Sequence, residues 1–118
     1  MPEDPSSLDY CYVTTRGRRT GRPHEIEIWF GKEGSSIYLL SGGREGSDWV
    51  KNIRNDPRVE VRLGDKSYSA LARIVDDPSE DVMARKLLLG KYGPRYTGDL
   101  SDWGKTALPV AIDLGIGG

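Results

Sequence analysis

The sequence predicts a mainly β fold with two helices (α+β), an antiparallel sheet or barrel of about six strands around one core. Three observations carry that expectation. Several short segments alternate apolar and polar residues with period two, so one face of each strand is buried and the other wet. That suits antiparallel pairing better than a doubly wound parallel sheet, whose strands are apolar on both faces. Glycine-bearing turns at 31–34, 42–46 and 64–65 separate these segments. Helical spacing appears in only two stretches, both after the third strand.

The elements follow in order. Residues 1–9, with Pro2, Pro5, Ser6 and Ser7, read as a loose lead-in. A first strand spans 10–15. In the second, 25–30, Ile26, Ile28 and Phe30 face one way and Glu25, Glu27 and Trp29 the other. After the 31–34 turn, a third strand over 36–41 carries Ile37, Tyr38, Leu39 and Leu40. Ser47 or Asp48 caps a short helix to Asn55 with Trp49, Val50 and Ile53 on its apolar side. Asp56-Pro57 ends it, because the residue before proline leaves the helical region. Val59, Val61 and Leu63 alternate with Arg58, Glu60 and Arg62 in a fourth strand, and a fifth runs over 67–75. A second helix opens with Asp77 as cap, Pro78 in the first turn and Glu80 three residues after the cap. It runs to about 89, buries Met83, Ala84, Leu87 and Leu88, and stops at Gly90, Gly93 and Pro94. An aromatic loop over 92–103 leads to a last strand at 107–114, and 115–118 read as a frayed end.

At 118 residues the chain reads as a single domain, 1–118. A domain of this size buries about two-thirds of its unfolded surface, so the core needs no disulfide or metal. The lone cysteine, Cys11, lies among apolar strand residues and reads as packing in a reducing, cytoplasmic setting. No apolar run approaches the roughly 20 residues of a membrane span, and no signal-peptide pattern opens the chain. The net charge is −1, with 17 basic and 18 acidic residues, which argues against a general nucleic-acid binder. No metal-ligand cluster or nucleophile triad is evident.

The positive charge is local. Val13 to Pro23 crowds four arginines and three threonines around a tight, glycine-punctuated turn, and no acid falls between Asp9 and Glu25. Backbone N–H groups, hydroxyls and guanidinium forks together make a phosphate cradle, with Arg18, Arg19 and Thr20 as its expected contacts and Thr15 beside them. A solvated hairpin turn is the plainer alternative. Not all four guanidinium groups point inward, because they repel unless an anion lies between them. His24, beside this loop, reads as an anion contact or a structural residue rather than a proton carrier.

Three motifs together carry a resemblance. They are Thr14-Thr15-Arg16-Gly17-Arg18-Arg19-Thr20-Gly21 with Pro23, the loop Ser41-Gly42-Gly43, and the helix-to-strand run from Trp49 through Asn55-Asp56-Pro57 to Val61. Lys91-Tyr92-Gly93-Pro94-Arg95-Tyr96, Trp103 and Leu108-Pro109-Val110 add to it. Over 10–114 the chain resembles the deazaflavin-dependent nitroreductase family. That family is part of the split β-barrel flavin-binding superfamily that includes the pyridoxamine-phosphate oxidases.

The resemblance implies a split β-barrel binding coenzyme F-420, an 8-hydroxy-5-deazaflavin, and passing hydride from it to quinones, nitro compounds and similar acceptors. FMN is the alternative cofactor, in a reductase or oxidase of the same fold; a non-catalytic flavin or tetrapyrrole carrier is the alternative function. Thr15, Arg18, Arg19, Thr20 and His24 would hold the coenzyme's anionic part. Ser41, Gly42, Gly43 and Arg44 would bring backbone and charge close to the ring. On the short helix, Trp49 either packs in the core or stacks on the ring, and Asn52 faces the sheet or the cofactor. Tyr92 and Tyr96 are the catalytic candidates, each able to hydrogen-bond an acceptor oxygen as charge develops; the alternative is that both rings cover the barrel end. Trp29 or Trp103 would complete the acceptor pocket. Superfamily analogy adds a homodimer.

Overall fold

The computed structural model of the chain describes residues 8–94 and 100–114. Seven strands form one antiparallel sheet: β1 Cys11–Arg16, β2 Pro23–Ile28, β3 Gly31–Glu33, β4 Ser36–Ser41, β5 Arg58–Leu63, β6 Lys66–Ile74 and β7 Leu108–Asp113. Three α-helices accompany it: α1 Asp48–Asn55, α2 Pro78–Tyr92 and α3 Ser101–Thr106. The expected count of about six strands is corrected to seven, because the second predicted strand breaks. β2 begins at Pro23 and ends at Ile28, and Gly31–Glu33, expected as a turn, pairs with β4 as a strand of its own.

That break decides the shape. The sheet order is β2-β1-β5-β6-β7-β4-β3, so β2 and β3 are the two edges, yet only Trp29 and Phe30 separate them in the chain. Three residue steps span at most about 11 Å, so the sheet must curl until its edges nearly meet at that end. Tyr92 fastens the link. Its hydroxyl accepts the Phe30 N–H at 2.9 Å, and its own proton has the carbonyls of Asp9 (2.8 Å) and Phe30 (2.9 Å) in reach. At the other end β2 and β3 part, leaving a split barrel.

Two apolar clusters fill the two sides of this sheet. Inside the curl lie Cys11, Val13, Phe30, Leu39, Val61, Val110 and their neighbours, with Val50 and Ile53 of α1 closing the cluster. Outside, α2 covers β4 and β7 through Ala84, Leu88 and Tyr92, spaced one turn apart, against Tyr38, Leu40 and Ala111, with Trp103 of α3 at the edge of the cluster. β4 and β7 are therefore buried on both faces, whereas β5 alternates buried and exposed along its whole length. Ile26, Ile28 and Phe30 join the inner cluster and Trp29 the outer one, as their alternation implies. Cys11 is wholly buried, and that burial pushes its thiol up to about 12, so it packs and does not react.

Two helical expectations are corrected. α2 runs through Gly90 to Tyr92, because Gly90 keeps helical pairing with open space beside it. Tyr92 is thus a helix residue rather than the start of a loop. Part of the expected 92–103 loop is α3, whose Gly104 lies so close to α2 that an added Cβ would meet Leu89 Cδ1 at 2.6 Å. The glycine serves helix packing there, not a turn. Arg73 of β6 ties α2 to the sheet, donating to both Glu80 oxygens at 2.7 Å and to Asp113 at 2.8 Å.

Candidate active site: a cationic groove beside an aromatic cavity

The β1–β2 hairpin builds the first part of the site. Its strands pair from Cys11↔Ile28 to Arg16↔Pro23, leaving residues 17–22 as the loop. Gly17 N–H donates to the Arg22 carbonyl and Gly21 N–H to the Gly17 carbonyl, both at 2.8 Å, while the Thr20 hydroxyl accepts the Arg22 N–H at 3.2 Å. Gly21 takes φ +73°, a left-handed turn that glycine adopts without strain. Gly17 packs tightly against the opposite strand: a Cβ there would come within 2.8 Å of His24 Nε2 and 3.3 Å of the Arg22 carbonyl.

The hairpin is docked onto α1. Asn52 Oδ1 accepts from Arg18 twice, from the guanidinium at 2.9 Å and from the backbone N–H at 3.3 Å. Asn52 Nδ2 donates to Thr15 Oγ1 at 3.0 Å, and both residues are buried. The Arg18 guanidinium also reaches Asp48 at 3.2 Å, one turn before Asn52 on the same helix face. This satisfies two buried polar side chains and fixes the loop over the helix.

Between hairpin and helix lies a groove of about 700 Å³, within the range of cofactor sites. Thr15, Arg18, Arg19, Thr20, His24, Trp49 and Asn52 line it, so the structure gathers seven of the residues expected to bind cofactor. Gly17, Arg22, Glu25, Ile26 and Asp48 line it too and were not among them. The Asp48–Asn52 spacing was a legible signal for Asp48, whereas nothing in the sequence set Arg22 apart from Arg16. Arg18 is engaged by Asn52 and Asp48, while the side chains of Arg19 and Arg22 make no ion pair or hydrogen bond among the described residues. The groove therefore presents unneutralised guanidinium groups at its hairpin side.

A second cavity of about 690 Å³ follows further along β2. Tyr10, Glu27, Ile28, Trp29, Leu40, Leu100, Asp102 and Trp103 line it. Trp29 is held from two sides: Tyr92 stacks on it at 4.3 Å with rings 3° apart, and Trp103 meets it edge-on at 5.6 Å. Tyr92 itself is buried, with its hydroxyl engaged by the backbone as described above. Tyr96 lies outside the described residues.

The Ser41–Arg44 group sits apart from the cationic groove. Ser41 is buried, donates to the Arg44 carbonyl at 3.0 Å and lies 2.8 Å from the Ser47 hydroxyl. Gly43 makes room for that Ser47 oxygen, which a Cβ would meet at 2.5 Å. A Cβ at Gly42 would lie in ordinary contact with Trp103 Cδ1, at 3.7 Å, and Trp103 lines the aromatic cavity. Arg44, at φ +53°, donates to the Thr106 carbonyl at the end of α3 and pairs with Glu45 at 3.4 Å.

No group of three or more His, Cys, Asp or Glu able to hold a metal occurs among the described residues. No described helix is long and apolar enough to cross a membrane.

Comparison with known proteins narrows the reading. The F420H(2)-dependent quinone reductase Rv1261c of Mycobacterium tuberculosis is 24% identical over 117 residues, covering 95% of this chain and 74% of its own. The crystal structure of the conserved hypothetical protein Rv2991 from Mycobacterium tuberculosis superposes with a TM-score of 0.74 at 24% identity, covering 93% of this chain and 75% of that one. An F420-H2 dependent reductase, FDR-A, superposes at 0.72 and 18% identity over 88% of this chain and 93% of its own. These likenesses, with a pyridoxamine 5'-phosphate oxidase-type structure from Listeria innocua at 0.66 and 16% identity over 92% of this chain and 85% of that one, establish the split-barrel fold. The family of F420H(2)-dependent quinone reductases matches residues 5–114, nearly the whole chain, and the protein belongs to it: an oxidoreductase whose cofactor is coenzyme F420.

Proposed function

We propose that this chain reduces quinones with reduced coenzyme F420, holding the coenzyme in the hairpin groove and the acceptor in the aromatic cavity beside it. The observation that carries the proposal is the docked hairpin: Asn52 and Asp48 fix Arg18 on α1, leaving Arg19 and Arg22 unneutralised at the groove. The residues fit the group. The coenzyme's anionic tail matches the cationic hairpin side, and the groove's volume suits a cofactor. Thr15, Thr20, His24, Trp49 and Asn52 complete the contacts, and Gly42 lies next to Trp103 of the cavity where ring and acceptor are to meet.

When bound, the reduced coenzyme supplies a hydride, two electrons with one proton, and a further proton completes the change from quinone to hydroquinone. The protein needs no nucleophile for this. Its task is to bring donor and acceptor to van der Waals distance and keep water away. Trp29 and Trp103 give the acceptor a flat apolar wall. Tyr92, whose hydroxyl is engaged by backbone, acts by stacking on Trp29 and fixing the β2–β3 link rather than by touching the acceptor. Tyr96 remains the candidate for the polar contact with the acceptor. Nitro compounds share the flat, electron-poor character that this cavity accepts and belong to the proposed acceptor range.

A homodimer extends the proposal; it draws on superfamily analogy and on a solved structure described as a domain-swapped dimer, which matches at a TM-score of 0.73 and 19% identity over 88% of this chain and 79% of its own. The single buried cysteine supports a cytoplasmic setting. The test is parallel titration of the purified protein with coenzyme F420 and FMN, followed by turnover of the reduced coenzyme with menadione. Saturable F420 binding and loss of the reduced coenzyme on adding menadione are expected. FMN binding tenfold tighter than F420, or F420 binding without turnover, would overturn the proposal.

A further inference from the structure

The two cavities along β2 carry opposite charge. The hairpin groove gathers Arg18, Arg19 and Arg22 against Glu25 and Asp48. The aromatic cavity is lined by Glu27 and Asp102 and, among the described residues, by no lysine or arginine. Neither carboxylate is neutralised by an ion pair among those residues. Glu27 accepts the Tyr12 hydroxyl at 2.5 Å, which leaves its charge in place and holds it at the cavity edge. Asp102, in the first turn of α3, has no side-chain partner there. Arg62 pairs with Glu25 at 3.7 Å instead, and Lys91, which keeps its charge, donates to the Phe30 carbonyl at 3.0 Å.

The geometry points to Glu27 and Asp102 as the residues that set acceptor charge: the cavity takes neutral or cationic flat acceptors and rejects anionic ones. The inference rests on the acceptor reading given above. Two effects act in the same direction. A bound anion is repelled by two fixed carboxylates before any chemistry. Hydride arrival then adds a second negative charge to an acceptor that already carries one, whereas a neutral quinone gains only its first.

The test uses 1,2-naphthoquinone and its 4-sulfonate, one ring system with and without a fixed negative charge, on the full chain with reduced coenzyme F420. Intrinsic reactivity differs between the two, so the readout is how their kcat/KM ratio changes across variants. Glu27→Gln retains an acceptor for Tyr12, and Asp102→Asn keeps the helix-start geometry. The double variant is expected to raise the relative kcat/KM of the sulfonate about tenfold, the size expected for two unit charges acting across a partly solvated cavity. Raising the salt concentration lowers discrimination by the wild type for the same reason. Quenching of tryptophan fluorescence in the absence of coenzyme should report the same shift in the ratio of dissociation constants. Glu33→Gln, on β3 away from the cavity, controls for net charge. A ratio within twofold of wild type in the double variant, or an equal shift from Glu33→Gln, overturns the inference while leaving quinone reduction standing. Failure of the wild type to reduce either quinone overturns both.

Discussion

Replacing Asn52 with alanine should both loosen the fold and weaken coenzyme binding. Asn52 is 4% exposed and makes three hydrogen bonds: two to Arg18, at 2.9 and 3.3 Å, and one to Thr15 at 3.0 Å. The bond to the buried Thr15 hydroxyl is neutral, and its loss costs about 1 kcal/mol. The guanidinium bond is charge-assisted, for which about 1.5–3 kcal/mol is usual, but the Arg18 side chain is 29% exposed and water recovers part of it. The longer backbone contact adds little. A net loss of about 2–3 kcal/mol follows, or a fall in Tm of roughly 8–12 °C for a domain of this size. Chemical denaturation gives the free-energy loss, a thermal melt the Tm shift, and a coenzyme titration the weakened binding. The decisive measurement is a double-mutant cycle with Arg18→Ala, in which a shared latch gives a coupling of at least about 1 kcal/mol in stability. Additive losses, or a stability change below about 0.5 kcal/mol for Asn52→Ala, would refute the hairpin-to-helix latch.

Three further outcomes are expected. Arg19→Ala and Arg22→Ala should each weaken coenzyme F420 binding about tenfold or more through a lost charge-assisted contact, flatten the salt dependence of that binding and leave Tm unchanged. A matching drop in Tm would mean that these arginines hold the hairpin instead. Tyr92→Phe keeps the stack on Trp29 but strands the buried Phe30 N–H, costing about 1–3 kcal/mol in a thermal or urea melt, and a wild-type melt would show that water replaces the hydroxyl. Arg73 hydrogen-bonds Glu80 and Asp113 and holds both carboxyls below their ordinary values. Groups depressed in the folded state stabilise it above their unfolded pKa. Stability should therefore be full above about pH 5 and fall as pH drops through the acid range, and Arg73→Met should flatten that slope in urea melts taken from pH 6 down.

Much of this architecture was legible in the residues, and the failures share a cause. β5 and β7 declared themselves because their alternation, or their run of apolar residues, matched the burial they achieve. The break between β2 and β3 was not legible, since Trp29 and Phe30 continue the alternation of the preceding strand. A Tyr92 hydroxyl, 62 residues later, is bonded where the chain turns. Gly90 reads as a helix stop by local rules, yet it is tolerated mid-helix; Gly104, which no local rule singled out, is favoured by the close approach of α3 to α2. In the site, composition pointed at the arginine hairpin but not at which arginine is spent internally. That distinction depends on the placement of α1, and only the Asp48–Asn52 spacing hinted at it.

The curl of the sheet explains why the two cavities lie in sequence along one strand. β2 is an edge, so its outer side has no neighbouring strand and faces whatever the connecting elements bring to it. At its start the hairpin and α1 supply cations from a turn and a helix that contact each other through Arg18. At its end the two-residue link to β3 forces Trp29 outward against Tyr92 and Trp103, and α2 and α3 supply the aromatic wall. An edge strand is ordinarily an aggregation hazard that charges and bulges must blunt. Here Glu25 and Glu27, both exposed, put charges on that strand, and one of them lines each cavity. The same alternation that protects the edge therefore places a carboxylate in both halves of the site. In the hairpin groove it is outnumbered by guanidinium groups, but in the aromatic cavity Asp102 reinforces it, so the charge step between the two cavities arises from strand geometry combined with the helix that each half of β2 faces.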